Sequence, residues 1–312
     1  MSTAPAPKTP KTPRSRWFKL VWIAPLVVVG LALIVVLANV IRGLPAGQDF
    51  LNAYPGQSKL PSWAPVGFPA WLEWQHFLSS FLMLFIIRTG WQVHTTKRAS
   101  AYWTRNNTGI LKTKGQPVRL PLHLWFHLSL DALWILNGLV FLVLIFVSGQ
   151  WVRIVPTRWD VIPNAISAGL QYASLDWPTE DGWVNYNALQ LLSYFLVVFV
   201  ASPLAILTGL RMVPGLAGRW KPFDQVYPVE VARKLHYPIF IFFVAFIVVH
   251  VTLVLATGAL RNLNHMYGGS DQVNWLGFGL FAGSLLLMVG GWFAFRPEIL
   301  AQAAGLSGKV RR

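Results

Sequence analysis

The sequence predicts an all-α protein that crosses a lipid bilayer six times. Three observations carry this. Of its 312 residues, 54% are hydrophobic and only 12% are charged, about half the charge of a soluble domain of this length. Six apolar stretches are each long enough to cross the hydrocarbon core as a helix. Sixteen tryptophans would populate the aromatic belts at the two membrane surfaces.

The elements follow in order. Residues 1–16 are mostly Pro, Thr, Ser, Lys and Arg, a composition that predicts a disordered basic tail. The six spans are Leu20–Ile41, Trp71–Ile87, Leu124–Val147, Ala188–Leu210, Leu235–Ala256 and Trp275–Phe295. The first exceeds the roughly 7–15 apolar residues of a signal peptide and has no small-x-small site behind it, so an uncleaved anchor is expected. Pro203 and Pro238 predict kinks in the fourth and fifth spans. No internal repeat is visible, so one membrane domain is expected. It would divide into the tail 1–16, a leading helix and loop over 17–70, a four-helix core over 71–260, and a trailing helix with a basic tail over 261–312.

Loop charges predict the orientation. With the N-terminus in the cytoplasm, the basic residues of the tail and of the loops around Lys97–Arg119, Arg211–Lys234 and Arg296–Arg312 all lie inside. Only Arg42, Lys59, Arg153, Arg158 and Arg261 lie outside, a strong positive-inside bias that puts both chain ends in the cytoplasm. The same bias accounts for the net charge of +15, which in a soluble protein would point to nucleic acid. No cysteine occurs. That excludes disulfides, iron–sulfur ligation by this chain and covalent haem attachment.

Seven histidines supply the chemistry. His236 and His250 lie fourteen residues apart on the fifth span, about 21 Å along the axis and nearly on one face. That is most of a hydrocarbon layer of about 30 Å, and intramembrane ionisable residues mark functional sites. The pattern predicts one axial ligand for each of two non-covalent haems. Topology gives the other histidines depths. His76 opens the second span near the outer surface and pairs with His250. His127 or His123 opens the third span near the inner surface and pairs with His236. His127 lies one turn deeper and is preferred. Two histidines on one iron leave no open position, so electron transfer is the expected task. Arg119, Arg233 and Lys234 are candidates to hold haem propionates. His94 and His265 fall in expected loops and read as solvated or interfacial. Asp131, one turn past His127, is expected to pair structurally with Ser129 or Asn137, with a histidine hydrogen bond or a proton relay as its other uses.

These motifs have a known counterpart. W-L-E-W-Q-H at 71–76, W-F-H at 125–127, V-N-Y-N-A-L-Q at 184–190, and K-L-H-Y-P with V-V-H-V in the fifth span resemble the membrane di-haem cytochrome b subunits of formate dehydrogenase, nickel–iron hydrogenase and thiosulfate reductase. The resemblance covers about residues 70–260. It implies that His76 and His250 share one haem b and that His127 and His236 share the other. It also implies a quinone pocket at Asn187 and Gln190, beside Tyr186. V-R-I-V-P-T-R-W-D and A-L-R-N-L-N-H-M-Y look most like a bacterial subgroup whose partner is a molybdopterin oxidoreductase subunit. The extra leading span inverts the core relative to a four-helix member, so the His76–His250 haem and the Asn187 region are expected to face outward. The main alternative is a six-span transporter or permease without haem. A zinc site on His123 and His127 lacks a third ligand at suitable spacing.

Overall fold

The computed structural model describes residues 17–108, 115–177, 181–215 and 221–312. The tail expected to be disordered, residues 1–16, lies outside them. Among the described residues six helices are long and apolar enough to cross a membrane, as expected: Val21–Gly43, Ala70–Thr95, Leu122–Val147, Ala188–Met212, Val229–Ala256 and Leu276–Ala294. They belong to α1 (Trp17–Gly43), α3 (Ala70–Thr95), α4 (Leu122–Val147), α6 and α7 (Ala188–Phe195 and Ser202–Met212), α9 (Val229–Ala256) and α11 (Leu276–Ala294). Pro45–Ala53, Val161–Ala173, Lys221–Val226, Ala259–Leu263 and Pro297–Gly305 form the shorter α2, α5, α8, α10 and α12.

A membrane core needs little burial against protein, because lipid solvates apolar side chains as well as a neighbouring helix does. Helix α1 shows this. Leu26, Val28, Leu33 and Leu37 are exposed along its length, and the helix touches the rest mainly through α2 and α5. The tightest packing joins α3, α4 and the end of α11. There Leu82, Phe85, Phe126 and Leu130 form a buried cluster, and Phe295 stands 4.7 Å from Phe85 and 4.9 Å from Phe126 between ring centres.

The helix is interrupted at Pro203, one of the two expected kink sites, while α9 runs on as one helix through Pro238. Pro203 follows a π-helical turn, Leu196–Ala201, that joins α6 to α7. Proline has no N–H for the helical ladder, and the widened turn carries Ser202, whose hydroxyl donates to the Val197 carbonyl at 2.8 Å. Pro238 sits inside α9, two residues beyond His236.

Three short strands were not expected. β1 (Tyr102–Arg105) pairs antiparallel with β2 (Arg119–Pro121) on one side and with β3 (Gly308–Arg311) on the other. This sheet ties the α3–α4 connection to the C-terminal tail. It defines one end of the bundle, called the tail end below. The opposite, or cap, end is built from the α1–α3, α4–α6 and α9–α11 connections. These loops are stitched together by backbone bonds such as Gly67 N–H to the Trp183 carbonyl at 2.8 Å. Gly67 has φ +80° and a Cβ there would lie 2.6 Å from the Trp183 ring, so only glycine fits.

Candidate functional site

Four histidines line the interior of the α3, α4, α7 and α9 group, two toward each end. At the cap end, His76 from α3 and His250 from α9 face each other with ring centres 6.4 Å apart and planes at 60°. Two in-line imidazole–metal bonds of about 2.0–2.1 Å, plus about 1.1 Å from each nitrogen to its ring centre, give about 6.3 Å. The separation therefore fits one iron held between them. His76 Nδ1 is buried and has no hydrogen-bond partner among the described residues. Aromatic rings hold this pair. Phe246 stacks flat on His250 at 5.6 Å, and Tyr194 meets it edge-on at 6.1 Å. Tyr267, from beyond α9, meets His76 edge-on at 6.0 Å.

At the tail end the histidines are held differently. His127 Nδ1 lies 2.8 Å from the Thr89 hydroxyl, and His236 Nδ1 lies 2.8 Å from the Thr208 hydroxyl. Both threonines are 1% exposed. The two rings are within electrostatic range of each other. Space is made by the following glycines. A Cβ on Gly90 would stand 3.3 Å from His127 Cε1 and 4.0 Å from Phe240, and one on Gly209 would stand 3.6 Å from His236 Cε1. His123, one turn nearer the helix start, has no such hydroxyl partner among the described residues. Asp131 does not pair with Ser129, which donates to the Trp125 carbonyl at 2.9 Å. Its carboxylate lies 3.6 Å from His127 Nε2, beyond hydrogen-bond length.

Of the two expected quinone contacts, Asn187 is buried at the N-cap of α6 and Gln190 is its N3 residue. They form a reciprocal capping box: Gln190 N–H donates to Asn187 Oδ1 at 2.9 Å, and Asn187 N–H donates to Gln190 Oε1 at 3.2 Å. Asn187 Nδ2 also donates to the Tyr172 hydroxyl at 3.0 Å. The box fixes the turn that presents Tyr186, whose ring lies 5.1 Å from Tyr194 and so leads to His250. A sequence pattern of Asn followed three residues later by Gln is a capping signature, so this role was readable in advance.

Two residues carry more structure than their sequence suggested. Arg153 is 2% exposed. It donates to the carbonyls of Gly67 at 2.9 Å, Trp183 at 3.2 Å and Gly182 at 2.5 Å, and its guanidinium lies over the Phe68 and Tyr186 rings. His265, expected to be solvated, is 5% exposed. Its Nε2 is 2.6 Å from Asp271, which Arg261 also holds at 2.7 Å. Burial pulls the His265 ring below its ordinary value in spite of that carboxylate. Asp271 is held down at about 2, chiefly by the Arg261 hydrogen bond. The carbonyl partners of Arg153 come from other loops, whereas His265 bonds within its own connection and takes only the Phe68 and Trp183 rings from elsewhere. His94 also departs from expectation. It lies in the last turn of α3 and stacks on Tyr237 at 4.9 Å.

Comparison with known proteins now has a site to meet. The family model described as prokaryotic cytochrome b561 matches residues 67–269, well over half of the chain. The chain belongs to that family. It is therefore a multi-pass prokaryotic membrane cytochrome b with a haem b cofactor and an electron-transfer role, which replaces the carrier alternative. The match takes in all four interior histidines and extends to the His265–Tyr267 segment beyond α9. No curated protein and no solved structure matches the chain.

Proposed function

We propose that this cytochrome b holds two haem b groups, one on His76 and His250 and one on His127 and His236. It exchanges electrons between the membrane quinone pool and a partner oxidoreductase subunit of the molybdopterin or a related type. The observation that carries the reading is the facing pair His76–His250 at 6.4 Å; at the opposite end His127 and His236 lie within electrostatic range of each other. Bound haem supplies one-electron exchange. The four histidines would supply the nitrogens that hold it, two to each iron, and an iron so held would have no open position, which suits transfer and not oxygen chemistry.

Quinone chemistry is assigned to the cap end, at the turn held by Asn187 and Gln190. The capping box holds Tyr186 and Tyr194 in line with His250, and the buried Arg153 beneath Tyr186 adds positive charge there. A quinone head gaining electrons at this turn would meet a cation and phenolic hydroxyls. Positive-inside charge puts the tail end, and with it both chain termini, in the cytoplasm of a bacterial inner membrane. The cap end then faces outward.

The test is haem stoichiometry. Purified chain assayed as the pyridine haemochromogen is expected to yield two haem b per polypeptide, reducible by a short-chain quinol without oxygen. A colourless protein, or one with near-zero haem, would sink the reading.

A further inference from the structure

The tail-end pair is built from one small motif used twice. Thr89–Gly90 on α3 packs against His127 on α4. Thr208–Gly209 on α7 packs against His236 on α9. In each case the threonine hydroxyl meets Nδ1 at 2.8 Å and the glycine leaves room beside Cε1. The sequence shows no repeat over these helices beyond the dipeptide itself.

The direction of these hydrogen bonds can be worked out from the donors. A hydroxyl has one hydrogen. Thr89 Oγ1 lies 2.7 Å from the Phe85 carbonyl and 3.1 Å from the Ile86 carbonyl. Carbonyls only accept, so the Thr89 hydrogen points to its own helix. Thr208 does the same, 2.6 Å from the Leu204 carbonyl and 3.1 Å from that of Ala205. Each hydroxyl oxygen is therefore left to accept, and each imidazole must donate Nδ1–H. A neutral ring that carries its proton on Nδ1 has its lone pair on Nε2. The threonines thus set the tautomer in which both rings offer Nε2 to a metal. Donation from Nδ1 also makes the ring more basic, as outer partners of ligating histidines do.

The geometry points to Thr89 and Thr208 as paired positioning residues for the tail-end haem. They fix the tautomer and rotation of His127 and His236, and they stabilise the ferric over the ferrous state through a more basic ring. The cap-end pair has no equivalent, because His76 Nδ1 is without a partner among the described residues. The two haems should therefore differ in potential, and hydroxyl removal should move only one of them. This rests on the di-haem reading above.

The experiment uses the full-length purified chain with its haem. Thr89→Val and Thr208→Val are compared with Thr89→Ser and Thr208→Ser by potentiometric titration, low-temperature ferric haem spectra and haem content. Removing an outer partner typically weakens metal binding about 10–100-fold. A tenfold loss that falls on the ferric form alone raises a one-electron potential by about 59 mV. The expected result is such a rise in one haem only, with an altered low-spin ferric signal, in the valine variants. The serine variants should stay near the parent. Should a valine variant not accumulate, Thr→Ala at the same position removes the acceptor without adding bulk and makes the same comparison. Two haems with parental potentials and spectra in the valine or alanine variants would overturn the proposal while leaving the di-haem reading intact. A parent chain without haem would overturn that reading itself, so the two failures are distinguishable.

Discussion

The two ends of the bundle hold their histidines by different means. At the tail end each ring is clasped at Nδ1 by a threonine hydroxyl and flanked by a glycine. At the cap end the rings are wedged among Phe246, Tyr194 and Tyr267, under a lid of buried polar groups centred on Arg153 and His265. The first arrangement acts on each ring through one directional bond. The second acts through packing and through a charge buried nearby. Two similar histidine pairs are thus given different environments within one helix group, and the difference lies in the residues around them.

The largest expected effects remove one end and spare the other. Replacing His236 by alanine should remove one haem b and leave part of the other's spectrum. His76→Ala should do the same with the ends exchanged. Haem content per polypeptide reads both, and an unchanged count in either variant would take that histidine out of the ligand set.

Arg153→Ala should come next. It takes the guanidinium donor from the Gly182 carbonyl, worth about 1–3 kcal/mol when left unpaired in a buried site, and removes one of two donors from the Gly67 and Trp183 carbonyls, which keep Gln150 and the Gly67 N–H. The melting temperature should fall and protease should cut the cap-end loops faster, with the tail-end haem spectrum unchanged. Equal perturbation of both haems would show that the ends are not independent.

Asn187→Ala removes the cap of α6 and should cost about 0.5–2 kcal/mol. Asn187→Ser or Asn187→Asp should restore most of that stability. If quinol reduction falls while the cap is restored, the amide itself meets the quinone. If reduction recovers with the cap, the residue acts only by holding the turn.

The smallest effect is a pH response confined to the cap. His265 sits below its ordinary 6.5 and Asp271 below its ordinary 3.8, so the unfolded cap binds more protons than the folded one at both positions. Stability is then full above about pH 6.5 and falls as an unfolded His265 would take its proton. It falls again as pH drops below the carboxylate range toward about 2. Hydrogen-exchange protection over residues 257–275, corrected for the intrinsic rate, should fall on acidification, while protection around Thr89 and Thr208 should not. Equal protection at pH 5 and pH 7.5 over 257–275 would remove His265 from the account.

How much of this could be read in advance follows from the range of each interaction. The six spans and the depth of each histidine were legible, because hydropathy and rise per residue are local quantities. Depth alone set His76 opposite His250, and the structure places those rings 6.4 Å apart. The capping role of Asn187 and Gln190 was also written in a three-residue spacing. The threonine clasps were not. Thr89 and His127 are 38 residues apart, and Thr208 and His236 are 28 apart. Whether a hydroxyl meets a ring nitrogen depends on how two helices are rotated against each other. Arg153 was missed for the same reason, since its carbonyl partners arrive from loops distant in sequence, and the burial of His265 comes from the equally distant Phe68 and Trp183 rings, although its hydrogen-bond partner Asp271 is only six residues away. The chain by itself thus determined the class, the number of crossings and the end of the bundle at which each of the four interior histidines lies. Only the tertiary structure decided which polar atoms meet, because hydrogen bonds need positions set to a fraction of an ångström by packing across the whole bundle.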